Sequence, residues 1–326
     1  MINNIEPDKP FKSLNEQVDI IYNDKKLTIV DEEKDKEFAK HALLTFSYYD
    51  LINGYKEVFM DNDEFINNIT IQYLYLFVQF DKSLQNILFQ YSVIIENKFK
   101  TALAYIISKR YGVFEEEYLN INNYNVRTNG ERNEFNTLIN KIKQIYQNNY
   151  YLEEPTKHYV ETKNHIPAWI LFKNLTFDKV TKLYKYLKHS DKLEVVNLMI
   201  DLDINEDKKL EYFLTSINLI RRCRNKIAHN LKFITYQDTT YQITKTNFDG
   251  DIHQILFDKN SYNNIYGMII CINSMLNDEY LKLDMNNSIN ILIERYLDID
   301  PQIVKDYLNI TAIPSDYIER ISKIIE

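Results

Sequence analysis

The sequence contains little glycine and proline. Its 326 residues include five glycines and six prolines, whereas average usage is roughly 7% and 5%. No two glycines lie close together, so the chain lacks the G-x-G-x-x-G turn of dinucleotide-binding proteins and the phosphate-binding loop of P-loop enzymes. Because few residues interrupt helices, the composition predicts long helices and excludes collagen-like and Gly/Ser-linker classes.

Cysteines and long apolar runs are also scarce. The two cysteines, Cys223 and Cys271, lie far apart, which fits neither a disulfide framework nor a zinc site. No run of about 18 apolar residues is present, and the N-terminus lacks the apolar core of a signal peptide. The histidines do not show metal-ligand spacing. We therefore expect a cytoplasmic protein without membrane contact, bound metal or other cofactor.

Positive charge is in the minority, except in one stretch. The chain has 39 Lys and Arg against 47 Asp and Glu, a net charge of −8, which does not favour nucleic acid over the whole surface. Residues 208–232, called the basic segment below, hold a single acid, Glu211, and a set of basic residues: Lys208, Lys209, Arg221, Arg222, Arg224, Lys226 and Lys232. The charge pattern therefore predicts a local phosphate-binding site.

Within the basic segment, three residues have the chemistry of a metal-free ribonuclease. Histidine is the side chain that ordinarily titrates near neutral pH, so His229 is suited to move the proton of a ribose 2′-hydroxyl or of a leaving 5′-oxygen. The fork of Arg224 can neutralise a phosphate in the transition state, and Asn225 can orient the phosphate or the imidazole. These three are the predicted catalytic residues. The predicted substrate-binding residues are Arg221, Arg222, Lys226 and Lys232.

The same residues also allow a structural interpretation. On an ideal helix, Arg224 and His229 lie about 140° apart, so either the helix is interrupted near Ala228 or two copies of the chain combine their residues. Arg224 continues the apolar stripe of Ile217 and Ile220, and a buried arginine needs a partner. A structural salt bridge would satisfy that need as well as catalysis would, and the residues alone leave both open.

The rest of the chain is predicted to be helical. Apolar residues at spacings of three and four indicate one long helix from residue 64 to about 110, or two helices with a kink near Asp81, which would then be the N-cap of the second. Trp169 is expected to be a core anchor. The predicted divisions are an N-terminal helical arm (1–60), a helical core (61–232) and a C-terminal extension (233–326), which has a small β-hairpin around 235–248 before its helices.

Several motifs, in order, resemble one bacterial family. An opening K-P-F-x-S-x-x-E-Q, a tyrosine segment, an F-D-x-x-L helix followed by I-E, a P-x-W segment and an R-N-x-x-A-H block are represented by Lys9, Pro10, Phe11, Ser13, Glu16, Gln17, Tyr48, Tyr49, Gly54, Tyr55, Phe80, Asp81, Leu84, Ile95, Glu96, Pro167, Trp169, Arg224, Asn225, Ala228 and His229. Together they resemble the Abi-like proteins of abortive infection (the AbiD/AbiF group) in the HEPN superfamily. The family usually has arginine where this chain has Asp50 and Lys100.

This resemblance implies an all-α HEPN-type helical bundle. It further implies a metal-independent endoribonuclease that acts as a toxin-like effector in phage defence, as a homodimer whose composite site takes the arginine and the histidine from two protomers. Glu96 and Lys100 would support Arg224 from a neighbouring helix. Some related systems include a small inhibitory non-coding RNA. The alternative is a non-catalytic RNA-binding or structural partner protein that uses the same basic segment.

Overall fold

A computed structural model describes residues 8–66, 68–148, 152–202, 204–248 and 255–325. The described chain is all-α, as predicted, apart from two short antiparallel strand pairs. In chain order its helices are α1 (Leu14–Asp19), α2 (Glu32–Leu51), α3 (Lys56–Phe59), α4 (Ile71–Tyr111), α5 (Glu115–Tyr118), α6 (Asn129–Gln147), α7 (Thr156–Thr162), α8 (Ala168–Leu171), α9 (Phe177–Lys185), α10 (His189–Met199), α11 (Glu206–Ala228), α12 (Ile265–Met275), α13 (Glu279–Ile299), α14 (Pro301–Thr311) and α15 (Tyr317–Ile325). Among the described helices, none is long and apolar enough to cross a membrane.

The strands form two minimal ladders. Strand β1 (Met60–Asp61) pairs with β2 (Glu64–Phe65), and β3 (Ile243–Thr244) pairs with β4 (Ser261–Tyr262). The second pair corresponds to the hairpin predicted around 235–248, but its returning strand lies beyond that range. The alternation of polar and β-prone residues marked the first strand correctly, whereas nothing in it indicated how far the connection extends.

The chain divides into two compact units. The first unit comprises residues 8–86, 232–235 and 289–314, and the second comprises the described residues of 87–231, 236–288 and 315–325. Each unit therefore draws on more than one of the three segments predicted from the sequence. That three-part division stays a prediction.

In the first unit, the opening motif is a helix cap. The Ser13 hydroxyl accepts from the backbone N–H of Glu16, and the Glu16 carboxylate accepts from the backbone N–H of Ser13, which together make a capping box for α1. This arrangement satisfies two backbone donors that the first turn of a helix otherwise leaves unpaired. The Ser and Glu of the K-P-F-x-S-x-x-E-Q motif thus have a structural role.

Helix α4 runs without interruption from Ile71 to Tyr111. Its predicted apolar stripe is buried, including Leu88, Ile95 and Phe99. The predicted kink and N-cap at Asp81 are wrong, because Asp81 lies within the helix and is buried. Its carboxylate accepts hydrogen bonds from the hydroxyls of Tyr55 (2.6 Å) and Tyr307 (2.8 Å) and from the Gln85 amide (2.7 Å), all in the first unit.

The core of the second unit is aromatic where α4, α9 and α11 meet. The rings of Phe99, Tyr184 and Phe213 lie edge to face, with centroids 5.1–5.7 Å apart, a favourable geometry for aromatic pairs. Helix α11 also packs extensively against α12. These contacts fix the position of α11, which contains most of the basic segment.

Candidate functional site

The C-terminal end of α11 is set by an asparagine. Asn230 adopts a left-handed backbone conformation (φ 52°), and its N–H donates to the carbonyl of Ile227 (2.9 Å), while the N–H of Leu231 donates to that of Lys226 (3.0 Å). This is a Schellman motif, which closes a helix. Helix α11 therefore ends at Ala228, so the 140° separation calculated for an ideal helix does not apply to His229.

His229 is the residue at which the helix ends, and its side chain is exposed. Its backbone N–H donates to the carbonyl of Asn225 (3.1 Å), as in a last helical turn. Within the described ranges, the imidazole makes no hydrogen bond, ion pair or ring contact. Both ring nitrogens are therefore available to a substrate or to another protein molecule.

Arg224 lies one turn earlier and is held by α4. Its Nη2 is 3.1 Å from Oε2 of Glu96, and the guanidinium lies 5.6 Å from the centre of the Phe89 ring, within the range of a cation–π contact. Lys100 Nζ lies 2.8 Å from Oε1 of the same carboxylate. Phe89, Glu96 and Lys100 are seven and four residues apart, so they lie on one face of α4.

The two oxygens of Glu96 therefore face one cation each. The Glu96 side chain is 9% exposed, against 28% for Arg224 and 11% for Lys100. Such a buried carboxylate requires compensating charge, because desolvation disfavours its ionised form. Lys100 supplies part of this charge as a point charge.

The guanidinium of Arg224 is only partly engaged. Its Nη1 donates to the side-chain oxygen of Asn225 (3.0 Å). The contact with Glu96 brings opposite charges together without hydrogen-bond geometry. Nε of Arg224 and Oε2 of Glu96 are both buried without a hydrogen-bond partner among the residues that the structure describes. Arg224 is thus oriented by its neighbours while part of its donor capacity remains unused.

The other two arginines of the basic segment have separate partners. Arg221 donates to Asp178 (3.0 Å) and to the side-chain oxygen of Asn218 (3.1 Å). Arg222 donates to Asp238 (3.1 Å), and its guanidinium lies 4.8 Å from the centre of the Tyr241 ring. Neither joins the group formed by Arg224, Asn225, Glu96 and Lys100.

The two predicted lysines are also dispersed. Lys226 Nζ lies 4.7 Å from the centre of the Tyr236 ring. Lys232 belongs to the first unit, where it pairs with Glu57 at 2.6 Å. The charge counted along the basic segment is therefore offset by four acids outside it, Glu57, Glu96, Asp178 and Asp238. The free positive charge is smaller than that count indicates.

Cys223 and Trp169 differ in their exposure. Cys223, which lies between Arg222 and Arg224 in the sequence, is buried, and burial raises the pKa of its thiol well above the ordinary value. Its thiolate is therefore not available as a nucleophile. Trp169, expected in the core, is 46% exposed. It follows Ala168 on a four-residue helix whose buried side chains are Ala168 and Leu171.

Sequence reasoning missed Phe89 and the carboxylates that hold Arg221 and Arg222. The seven-residue spacing between Phe89 and Glu96 was a usable signal for the former, because it places both on one helix face. No local signal identifies Asp178 or Asp238, which approach the arginines only through tertiary packing.

Comparison with known proteins identifies the family of this chain. The model of the Abi-like protein family matches residues 41–235, a span that includes Glu96, Lys100, Arg224, Asn225 and His229. No curated protein matches the chain, and no solved structure matches it either. Since the matched span exceeds half of the chain, the protein belongs to the Abi-like protein family, a membership that points to abortive infection and phage defence.

Proposed function

We propose that the protein is a metal-independent endoribonuclease of HEPN type and acts as a toxin-like effector during phage infection. The observation that carries the proposal is that an oriented arginine and an unengaged histidine lie at the same end of one helix. Arg224 is positioned by Glu96 and Asn225, and His229, exposed beyond Ala228, has no partner of its own in the described chain.

The chemistry is attack of a ribose 2′-oxygen on the adjacent phosphorus. The new O–P bond replaces the bond to the 5′-oxygen and yields a 2′,3′-cyclic phosphate and a free 5′-hydroxyl. One proton leaves the 2′-hydroxyl and one reaches the 5′-oxygen, transfers for which an imidazole is suited at neutral pH. Arg224 neutralises the charge that builds on the phosphate oxygens.

A homodimer supplies the second proton-transfer group. If two copies align the ends of α11, their two exposed His229 side chains serve one composite site, one as base and the other as acid. Each Arg224 would then approach the phosphate together with its partner's histidine. The composite site requires a dimer at the concentration at which the protein cuts RNA, which light scattering measures directly; a protein that cuts as a monomer contradicts this part of the proposal.

The test is RNA cleavage by the purified protein with a chelator present. His229→Ala is expected to reduce the cleavage rate by about 100-fold or more, the usual contribution of general acid–base catalysis, while RNA binding measured by fluorescence anisotropy changes little. His189→Ala is the matched control, because His189 is also an exposed histidine in the second unit.

Two outcomes would overturn the proposal that the protein is an enzyme. One is a wild-type protein that cuts neither total bacterial RNA nor phage RNA with the chelator present. The other is a His229→Ala variant that cuts as fast as the wild type. If RNA binding persists without cleavage, the protein is a binding module. If neither is observed and His229→Ala leaves protection against phage unchanged, the ion pair of Arg224 is structural.

A further inference from the structure

The second unit contains a cleft that is separate from the Arg224 side chain. It measures about 1000 Å³ and is lined by one face each of α6, α9 and α11, a size at the upper end of ordinary ligand sites. Arg221 of α11 lies in its wall. Arg221 and Arg224 are three residues apart on one helix, and such residues are surface neighbours.

Positive charge predominates in this cleft. Its lining includes the cations Lys141, Lys179, Lys182, Lys185 and Arg221 against the carboxylates Glu134 and Asp178. Asp178 is shared by Lys182 (2.7 Å) and Arg221 (3.0 Å), and Glu134 is shared by Lys185 (3.7 Å) and the Tyr186 hydroxyl (2.9 Å). Two acids therefore face three cations and are used up by them.

The remaining two cations of the cleft have no acid. Among the described residues, Lys141 and Lys179 make no ion pair or side-chain hydrogen bond. A cleft with unpaired cations attracts polyanions.

The walls also offer surfaces for bases. Tyr241 and Leu214 line the cleft together with Arg221. Successive bases of a single strand stack on aromatic side chains while a positive groove follows the backbone. A duplex hides its bases from such contacts, so these walls favour unpaired nucleotides.

We infer that this cleft holds the single-stranded RNA that flanks the bond cut beside Arg224. This inference rests on the proposed function for the identity of the RNA as a substrate. The strand enters through Lys141 and Lys179, passes Arg221 and reaches Arg224 along α11. The cleft is thus the binding site and the end of α11 is the site of chemistry.

The experiment measures binding of a short fluorescein-labelled oligouridylate to His229→Ala protein, so that cleavage does not interfere. The double change Lys141→Glu and Lys179→Glu is expected to weaken binding by about 10-fold or more and to reduce the slope of log K against log salt by about 1.4, since each phosphate contact of a single strand contributes about 0.7. The matched control is Lys157→Glu with Lys163→Glu, two exposed lysines of the second unit outside the cleft.

Two results would overturn the cleft as the RNA site. In the first, both double variants weaken binding equally, which means that overall charge holds the RNA. In the second, the variant with Lys141→Glu and Lys179→Glu binds oligouridylate as tightly as the His229→Ala protein that lacks these two changes. This result includes the case in which the cleft variant loses only its affinity for a mononucleotide such as ATP. Thermal melts and the pair Lys141→Gln with Lys179→Gln check that the variants fold.

The outcomes of the two proposals are separable. If the cleft proposal fails, the protein with His229 intact still cuts RNA in the presence of a chelator, and the cleft variant binds oligouridylate with unchanged affinity. Failure of the proposed function leaves no cleavage by any variant, whereas the cleft variant still loses affinity for oligouridylate relative to its control.

Discussion

Helix α4 contains two buried acids whose surroundings differ in kind. Asp81, in the first unit, accepts hydrogen bonds from two tyrosine hydroxyls and one amide. Glu96, in the second unit, faces the cations of Arg224 and Lys100. The neutral donors around Asp81 satisfy its carboxyl group and do not position a charged side chain. Glu96, in contrast, holds Arg224 in place, and that arginine has unused donors. The difference separates a structural acid from a positioning acid.

The electrostatics of Asp81 agree with its structural role. Burial raises the pKa of its carboxyl group, although hydrogen bonds from Tyr55, Gln85 and Tyr307 oppose the shift. The hydroxyls also bring together distant parts of the first unit, since Tyr307 lies in α14. Asp81 belongs to the F-D-x-x-L motif, so at least one residue of the resemblance supports the fold of the first unit.

The largest expected effect is that of Asp81→Ala on stability. The change leaves two buried hydroxyls and an amide without their acceptor, and each such group costs about 1–3 kcal/mol, so the free energy of unfolding should fall by about 3 kcal/mol or more. Urea unfolding followed by circular dichroism measures it. The RNA cleavage rate per folded molecule should stay near that of the wild type. A selective loss of cleavage would erase the distinction between the two acids.

Glu96→Gln should show the opposite pattern. The amide keeps the size of the side chain but removes the charge that orients Arg224. If the transition state relies on that orientation, loss of the ion pair should lower cleavage by about 10- to 100-fold, which corresponds to about 1.4–2.8 kcal/mol in the barrier. The loss should appear in kcat more than in KM, because substrate binding uses other residues.

Glu96→Asp is the conservative control for this prediction. It retains the charge on a shorter side chain and should restore part of the cleavage rate that Glu96→Gln loses. If Glu96 had a purely structural role, the cleavage rates of the variants would follow only their melting temperatures. Equal cleavage by wild type and Glu96→Gln would show that Glu96 does not position Arg224 for chemistry.

Much of this comparison could be predicted from the sequence, and some could not. The spacing of Leu88, Ile95 and Phe99 indicated the long helix, and the family motifs placed Glu96 beside Arg224. The same spacing gave no information about Asp81, because its donors Tyr55 and Tyr307 are separated by 252 positions in the chain. An aspartate within an apolar stripe therefore looked like a helix start.

The basic segment illustrates the same limit for charge. Counting along residues 208–232 found the cations but not the acids that pair with them, since Glu96 and Asp178 come from helices α4 and α9. The helix end at Ala228 depended on the left-handed conformation of Asn230. Asparagine tolerates that conformation better than most residues do, a signal that was present in the sequence and was not used.

The smallest effect in the comparison is a difference in pH dependence between Asp81 and Asp238. Burial also disfavours the ionised form of Asp238, but hydrogen bonds from Tyr236 and from the backbone of Tyr241 and Thr240, together with Arg222, lower its pKa. A group whose pKa is raised on folding stabilises the protein below its unfolded-state pKa, and this stabilisation is lost as the pH rises. A group whose pKa is lowered on folding stabilises the protein above its unfolded-state pKa, and this stabilisation is lost as the pH falls.

Replacing each acid by asparagine should therefore give opposite trends. Between pH 7 and about pH 3, a range that contains the ordinary pKa of an aspartate, the stability advantage of the wild type over Asp81→Asn should grow as the pH falls. The advantage over Asp238→Asn should shrink in the lower part of this range, because protonation weakens the hydrogen bonds that the carboxylate accepts from Tyr236, Tyr241 and Thr240 and its contact with Arg222. Urea unfolding at several pH values measures both. Parallel trends would mean that the hydrogen bonds accepted by Asp238 do not outweigh its burial, and the opposite pKa shifts of the two aspartates would then not hold.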